Sequence, residues 1–313
     1  MRTPTQLSRP NTSPNLSRTG LSRAVACAVL LGIFNSSFAT ETVRTLIVVG
    51  PSNHAPGSHE VGAGARLIEH CLESIENREP FAADIIDAWP EDNSSLSGYS
   101  TVVFIGDQFP AERMSDSGRI MKDLTKMMKR GCGIVCIHYG VGLNNNDVAT
   151  DGDHPLLHWM GGYFATRCDH HQSIARIYPA AKIEPADESH PISRGWKPFV
   201  LRDEPYINNY FGPDNNQMIP GAFAVATSML PPNNPKREII AWGIERPNSG
   251  RGFGVTLPHF YRNWEIEPLR RMILNGIVWT AKEDVPDEGI TTSLPPLKTF
   301  EPESVDFKPR SKK

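Results

Sequence analysis

The octapeptide NHAPGSHE, residues 53–60, directly follows the apolar run TLIVVG and holds two histidines and a glutamate. Neutral imidazole and carboxylate groups suit Zn2+ or Mn2+ and also titrate where acid–base catalysis operates. His54, His59 and Glu60 are therefore candidates for a metal or proton-transfer site. The competing reading is a polar loop that caps the next helix. Three further residues lie near the ends of strand-like segments: His138 in GIVCIHYG, Glu204 in RDEPY and His259 in LPHF. In one assignment His138 and Glu60 move protons near neutral pH, while His59, Glu204 and His259 hold a divalent ion or orient hydroxyls. His54, Tyr139, Tyr206 and Tyr261 then contact substrate, the last two as platforms for the apolar C–H face of a pyranose.

Other chemically suggestive residues fit less well. His170 and His171 are adjacent, and neighbouring strand residues point to opposite faces, so one ion does not readily take both. His190 precedes Pro191 and reads as a turn former. The glycines of VGAGARL begin too far beyond the preceding strand, and lack the third glycine, for a dinucleotide fingerprint. No nucleotide is expected; the pair instead lets a helix approach the sheet closely. GIVCIHYG has the strand-to-turn shape of a nucleophile elbow with His138 at its tip, while Cys136 lies deeper and reads as core. No G-x-S-x-G sequence is present to support serine hydrolase chemistry.

Placing these residues falls to a series of short apolar runs. Strands are expected at 45–50, 82–88, 100–106 and 133–139, with helices at 62–77 and 115–130. Continuous apolar strands alternating with helices indicate a parallel sheet covered on both faces. In such sheets ligands bind beyond the carboxyl ends of the strands, where the loops carrying His54, His59, Glu60 and His138 lie. Beyond residue 140 the rhythm changes to an amphipathic piece, HPLLHWMGGYF, and strands near 173–178, 198–207 and 222–228. REIIAWGIER and RGFGVTLPHF then read as two strands joined by the turn PNSG, and a final helix is expected over 268–282.

The 313 residues carry 39% hydrophobic content and a net charge of −3, from 32 basic and 35 acidic side chains. That content supports a sizeable core, and the near balance gives no basic field for nucleic acid or an anionic membrane. Residues 1–39 read as a cleaved secretory signal: Arg18 and Arg23 precede AVACAVLLGIF and the small residues of NSSFA. Export to a periplasm or beyond follows, with no integral membrane segment after cleavage. Cys71, Cys132, Cys136 and Cys168 show no short metal-binding spacing and are expected as buried free thiols, with one disulfide as the alternative. One α/β domain is expected over 43–283, followed by an extended or disordered tail over 284–313.

Several ordered motifs carry a resemblance: SNHAPGSHE, MKRGCGIVCIHYGVG, HWMGGYF, SHPISRGWKPFVLRDEPY, and GRGFGVTLPHFYRNW before LRRMILNGIVWTA. Together they resemble the ThuA-like family, named for trehalose utilisation, and within it an exported planctomycete-type branch. The resemblance implies a flavodoxin-like three-layer α/β/α sandwich related to class I glutamine amidotransferases. Those enzymes carry cysteine at the elbow tip where this chain has His138, so glutamine hydrolysis through a thioester is not expected. TLPHF departs from the usual pattern, in which a glycine pair precedes the histidine, and this implies a different backbone near His259. The family's association with sugars and their 3-keto forms implies a small carbohydrate as ligand, and an isomerase, lyase or hydrolase. A non-catalytic carbohydrate-binding or scaffold protein with the same fold is the alternative.

Overall fold

The computed structural model describes residues 42–300. The secretory-signal assignment and the last thirteen residues lie outside the described residues. In chain order the elements are β1 (Arg44–Val49), α1 (Val61–Glu73), β2 (Ala82–Ile86), β3 (Thr101–Ile105), α2 (Pro110–Arg113), α3 (Ser117–Lys129), β4 (Gly133–Ile137) and β5 (Gly142–Asn144). There follow α4 (Pro155–Met160), β6 (Phe164–Thr166), β7 (Tyr178–Pro185), β8 (Phe199–Asp203), β9 (Ala222–Leu230), β10 (Lys236–Glu245), β11 (Arg251–Val255) and α5 (Glu267–Thr280).

Among the described residues nine strands form one sheet in the order β2-β1-β3-β4-β11-β10-β9-β7-β8. The five from β2 to β11 run parallel, and β10, β9, β7 and β8 continue the sheet antiparallel. Strand alternation divides the core in two. Ile47, Val103, Ile105, Val135 and Ile137 face one side, with Ile68 and Leu72 of α1 and Ile273 and Ile277 of α5. Leu46, Val48, Val102, Phe104 and Cys136 face the other, with Ile120 and Leu124 of α3 and Leu156 and Met160 of α4. Burial on both faces explains the unbroken apolar runs, and each buried Leu or Ile stabilises the fold by roughly 1.5–3 kcal/mol. The result is the flavodoxin-like three-layer sandwich with an antiparallel extension.

Local chemistry sets the boundaries. α3 ends at Gly131, whose φ of +84° allows the left-handed turn in which the N–H groups of Gly131 and Cys132 bond Met128 and Met127 carbonyls. α1 comes close to the sheet at Gly64, where a Cβ would lie 2.8 Å from Ile105 Cδ1. This is the close approach expected of the glycine pair. β1 and β4 are not direct neighbours, because β3 lies between them. β1 continues outward to β2 while β3 opens on the other side, so the loops after β1 and β3 diverge at a topological switch point.

Two expectations change. The strand anticipated at 173–178 instead begins at Tyr178 and runs to Pro185, with a register irregularity between Tyr178 and Ala181 that accommodates Pro179. Residues 284–300, assigned to the tail, pack against the domain. Val285, Ile290 and Leu297 are buried in the α1/α5 core, and Asn275 Oδ1 accepts the Ile290 N–H at 2.8 Å. Widely spaced apolar residues in a proline-rich stretch anchor the segment without making a periodic pattern. No described helix is long and apolar enough to cross a membrane.

Candidate functional site

The carboxyl ends of four adjacent parallel strands, β1, β3, β4 and β11, supply the loops of the site. His138 follows β4 with φ of +50°, a left-handed conformation uncommon for a residue with a Cβ, and the chain then turns into a 3-10 helix over His138–Val141. The elbow expected from GIVCIHYG is present. His59, with φ of +49°, donates its backbone N–H to the His259 carbonyl at 3.0 Å, while Ser58 pairs with Phe260. This pairing fastens the β1 loop to the β11 loop. The His259 N–H in turn donates to Asp203 Oδ1 at 2.8 Å, joining the end of β8 to the group.

These anchors bring three imidazoles together. His138 Nε2 lies 2.8 Å from His59 Nε2 and 3.2 Å from His259 Nδ1, and His59 Nε2 lies 3.0 Å from His259 Nδ1. Glu204 Oε2 is 3.3 Å from His259 Nδ1. The partners on the far side of two rings fix their tautomers. His138 Nδ1 faces the Thr256 carbonyl at 2.7 Å and His59 Nδ1 faces Asp107 Oδ1 at 2.5 Å, so each Nδ1 donates a proton. The two Nε2 atoms therefore turn lone pairs toward each other. Tyr206 O–H donates to His138 Nε2 at 3.0 Å, which satisfies one of them in part.

His59, His138, Glu204 and His259 present four ligand atoms within 4.8 Å of one another. A tetrahedral ion with bonds of about 2.0–2.1 Å to nitrogen separates its ligand atoms by roughly 3.3 Å, close to the spacing of these nitrogens. The donor set thus fits a divalent cation. The three expected ligands, His59, Glu204 and His259, are together, and His138 joins them as a fourth. This differs from the proton-transfer role assigned to His138: its ring is buried, with Nδ1 committed to Thr256 and Nε2 to the cluster. Burial first, and then the neighbouring His59 and His259, hold His138 well below the ordinary imidazole value. Burial likewise lowers His59, outweighing its bond to Asp107.

Asp107, just beyond β3, was not among the expected residues. One of its oxygens takes the His59 Nδ1 proton, and the other accepts from His54 Nδ1 at 2.9 Å and from the Asn53 N–H at 2.8 Å. Burial raises its carboxyl, but the bonds from His54, His59 and Asn53 prevail and hold it well below the usual carboxylate range. In return Asp107 raises His54, which stands exposed with its ring stacked on His59 at 3.5 Å. A carboxylate behind a ligating histidine fixes ring orientation and raises ligand basicity.

The remaining assignments divide. Tyr139 is half-buried, edge-on to His54 and His59, and accepts from Gln108 Nε2 at 3.2 Å. Tyr206 and Tyr261 are only 2% exposed and cannot serve as stacking platforms. Tyr206 packs against Phe164 at 4.2 Å, with its hydroxyl aimed at the cluster, and Tyr261 donates to the Leu297 carbonyl. Glu60, just before α1, accepts the Gly57 N–H of the preceding loop at 2.6 Å, makes no side-chain cap hydrogen bond to the helix, and lies outside the donor set. His170 bonds the Tyr163 hydroxyl and His171 the Asn208 carbonyl, from a loop instead of a strand. His190 accepts from the Ile192 N–H, as a turn former does. The four cysteines of the described residues are free and buried, and burial pushes the Cys136 thiol far up.

The family model described as trehalose utilisation, ThuA, matches residues 46–280. Solved structures share the fold. A ThuA-like protein from Bacteroides uniformis superposes with a TM-score of 0.54 at 16% identity, covering 80% of this chain and 96% of the other. One from Parabacteroides merdae gives 0.51 at 16% identity, covering 81% and 98%. No curated protein matches the chain.

Proposed function

Since the chain belongs to the ThuA, trehalose utilisation, family, we propose that it is an exported enzyme acting on a sugar or its 3-keto form, with a divalent metal held by His59, His138, Glu204 and His259. The observation that carries the metal reading is the approach of His59 Nε2 and His138 Nε2 to 2.8 Å while both rings have their proton on Nδ1. Two lone pairs at that distance repel, and burial opposes an extra proton on either ring. A cation removes the conflict. Bound there, it supplies Lewis acidity toward a carbonyl or hydroxyl oxygen.

The residues around the donor set then divide the work. Asp107 keeps the proton of His59 on Nδ1, and Asp203 fixes the His259 backbone. Tyr206 directs its hydroxyl toward His138. His54 is the accessible imidazole, oriented through Nδ1 by a carboxylate, and it takes or returns a proton at the substrate. Tyr139 stands edge-on beside the His54 ring. Proton transfer at carbon and hydrolysis are both within reach of this arrangement. The export reading is supported by Arg18, Arg23 and the apolar run that follows them.

Plasma mass spectrometry of the purified mature protein and of a His59→Ala/His259→Ala variant tests the metal. A stoichiometric ion lost in the variant is expected. A native protein free of metal after expression in supplemented medium removes the proposal. His54→Ala should keep the ion and lose turnover on 3-keto-glucosides.

A further inference from the structure

Among the described residues Arg44, Arg78, Arg113, Arg119, Arg194, Arg251 and Arg271 each sit with an Asp or Glu. Arg202 and Arg262 differ. Each places its guanidinium 4.7 Å from the centre of the same ring, Phe260, and among the described residues neither has a carboxylate partner. The aromatic face holds a guanidinium flat while leaving its edge donors available. A guanidinium held this way, with no carboxylate paired to it, keeps both its charge and its edge donors for an oxyanion bound beside Phe260.

The pair is built into the frame of the site. Asn263, the residue after Arg262, donates to the Arg202 carbonyl at 2.9 Å and to Asp203 Oδ2 at 2.5 Å, and Asp203 fixes the His259 backbone. Phe260 follows His259, and the two rings are 4.6 Å apart. Each guanidinium is 4.7 Å from the centre of Phe260, so both lie within reach of a substituent on a sugar held at the donor set.

We propose that Arg202 and Arg262 form an anion subsite, so that the preferred carbohydrate bears a carboxylate or phosphate beyond the sugar that meets the His/Glu cluster. The inference rests on the carbohydrate reading above for the sugar part alone, because the anion requirement follows from the arginine pair. Calorimetric titration of the mature protein with glucuronate, glucose 6-phosphate, glucose and inorganic phosphate separates the two. Glucuronate or glucose 6-phosphate should bind at least about tenfold more tightly than glucose, weakening with added salt, and whichever binds better identifies the anion. In Arg202→Gln/Arg262→Gln that preference should vanish while glucose binding stays unchanged. Arg202→Lys/Arg262→Lys, which keeps charge and stem packing, should retain part of it and controls for folding. Phosphate binding that the glutamine variant loses, with no sugar binding at all, sustains the subsite and refutes the carbohydrate reading. Equal binding of charged and neutral sugars, a preference that survives the glutamine variant, or no binding of any anion overturns the proposal.

Discussion

Asp107→Asn tests the site where its logic is tightest. The carboxylate serves three donors: one oxygen takes the His59 Nδ1 proton, and the other accepts from His54 Nδ1 and from the Asn53 N–H. Asparagine keeps only one acceptor oxygen. If that oxygen serves the two donors at the Oδ2 position, the new NH2 group faces His59 Nδ1, which must then accept. The His59 proton moves to Nε2, the atom that faces His138 and His259. A ligand nitrogen carrying a proton cannot bind an ion, so the variant should lose the 10–100-fold in metal affinity typical of a lost carboxylate partner. That is about 1.4–2.7 kcal/mol. Chelator competition with Zn2+ on both proteins measures the affinity, and long-range 1H–15N correlation spectra report the His59 tautomer. At fixed free zinc the metal-induced gain in thermal stability should shrink by a similar free energy. A folded variant whose affinity stays within about threefold of the parent, or whose His59 proton remains on Nδ1, would refute the reasoning.

Tyr206→Phe removes the hydroxyl that donates to His138 Nε2 but keeps the packing on Phe164. The metal-free protein should lose roughly 0.5–1.5 kcal/mol in urea unfolding and the metal-loaded protein much less, because the ion then satisfies that nitrogen. Asn263→Ala takes a donor from Asp203, whose buried carboxyl burial already raises, and also frees the Arg202 carbonyl. A loss of about 2–4 kcal/mol is expected by the same assay, and a loss under about 1 kcal/mol would show that Asp203 does not depend on it. The pH dependence has a definite sign. His54 lies above its ordinary 6.5, so its contribution to stability is full below that value and fades as pH rises through the raised one. Asp107 lies below its ordinary 3.8, so its contribution is full above that value and fades as pH falls through the lowered one. The stability difference between the parent and Asp107→Asn should therefore be widest between about pH 4 and 6.5 and narrow on both sides. A difference that is flat from pH 2 to 9 would contradict the paired assignment.

The sequence alone determined the parallel half of the sheet and its helices. Strands buried on both faces must be apolar throughout, and β1, β3 and β4 show this without reference to anything distant. It also placed His59, His138, Glu204 and His259 near strand ends, where loops of a parallel sheet converge. The same rule, applied to the strand recognised at 100–106, points at Asp107 immediately beyond it. A single aspartate in a polar loop carries no spacing signal, so only its contact with two histidines revealed it. β7 was obscured by its prolines, and the packed segment 284–300 by its sparse apolar residues.

What only the tertiary structure decided was which atoms meet. Tyr206 and Tyr261 look alike as aromatic residues in polar surroundings, and their burial came from helices and strands far away in sequence. His138 moved from the expected proton carrier into the buried histidine cluster because the Thr256 carbonyl, 118 residues away, claims its Nδ1 and turns its Nε2 toward His59 and His259. Residue type and local periodicity encode which element forms and which face it buries. The protonated nitrogen of an imidazole depends on partners that only the completed fold brings within 3 Å.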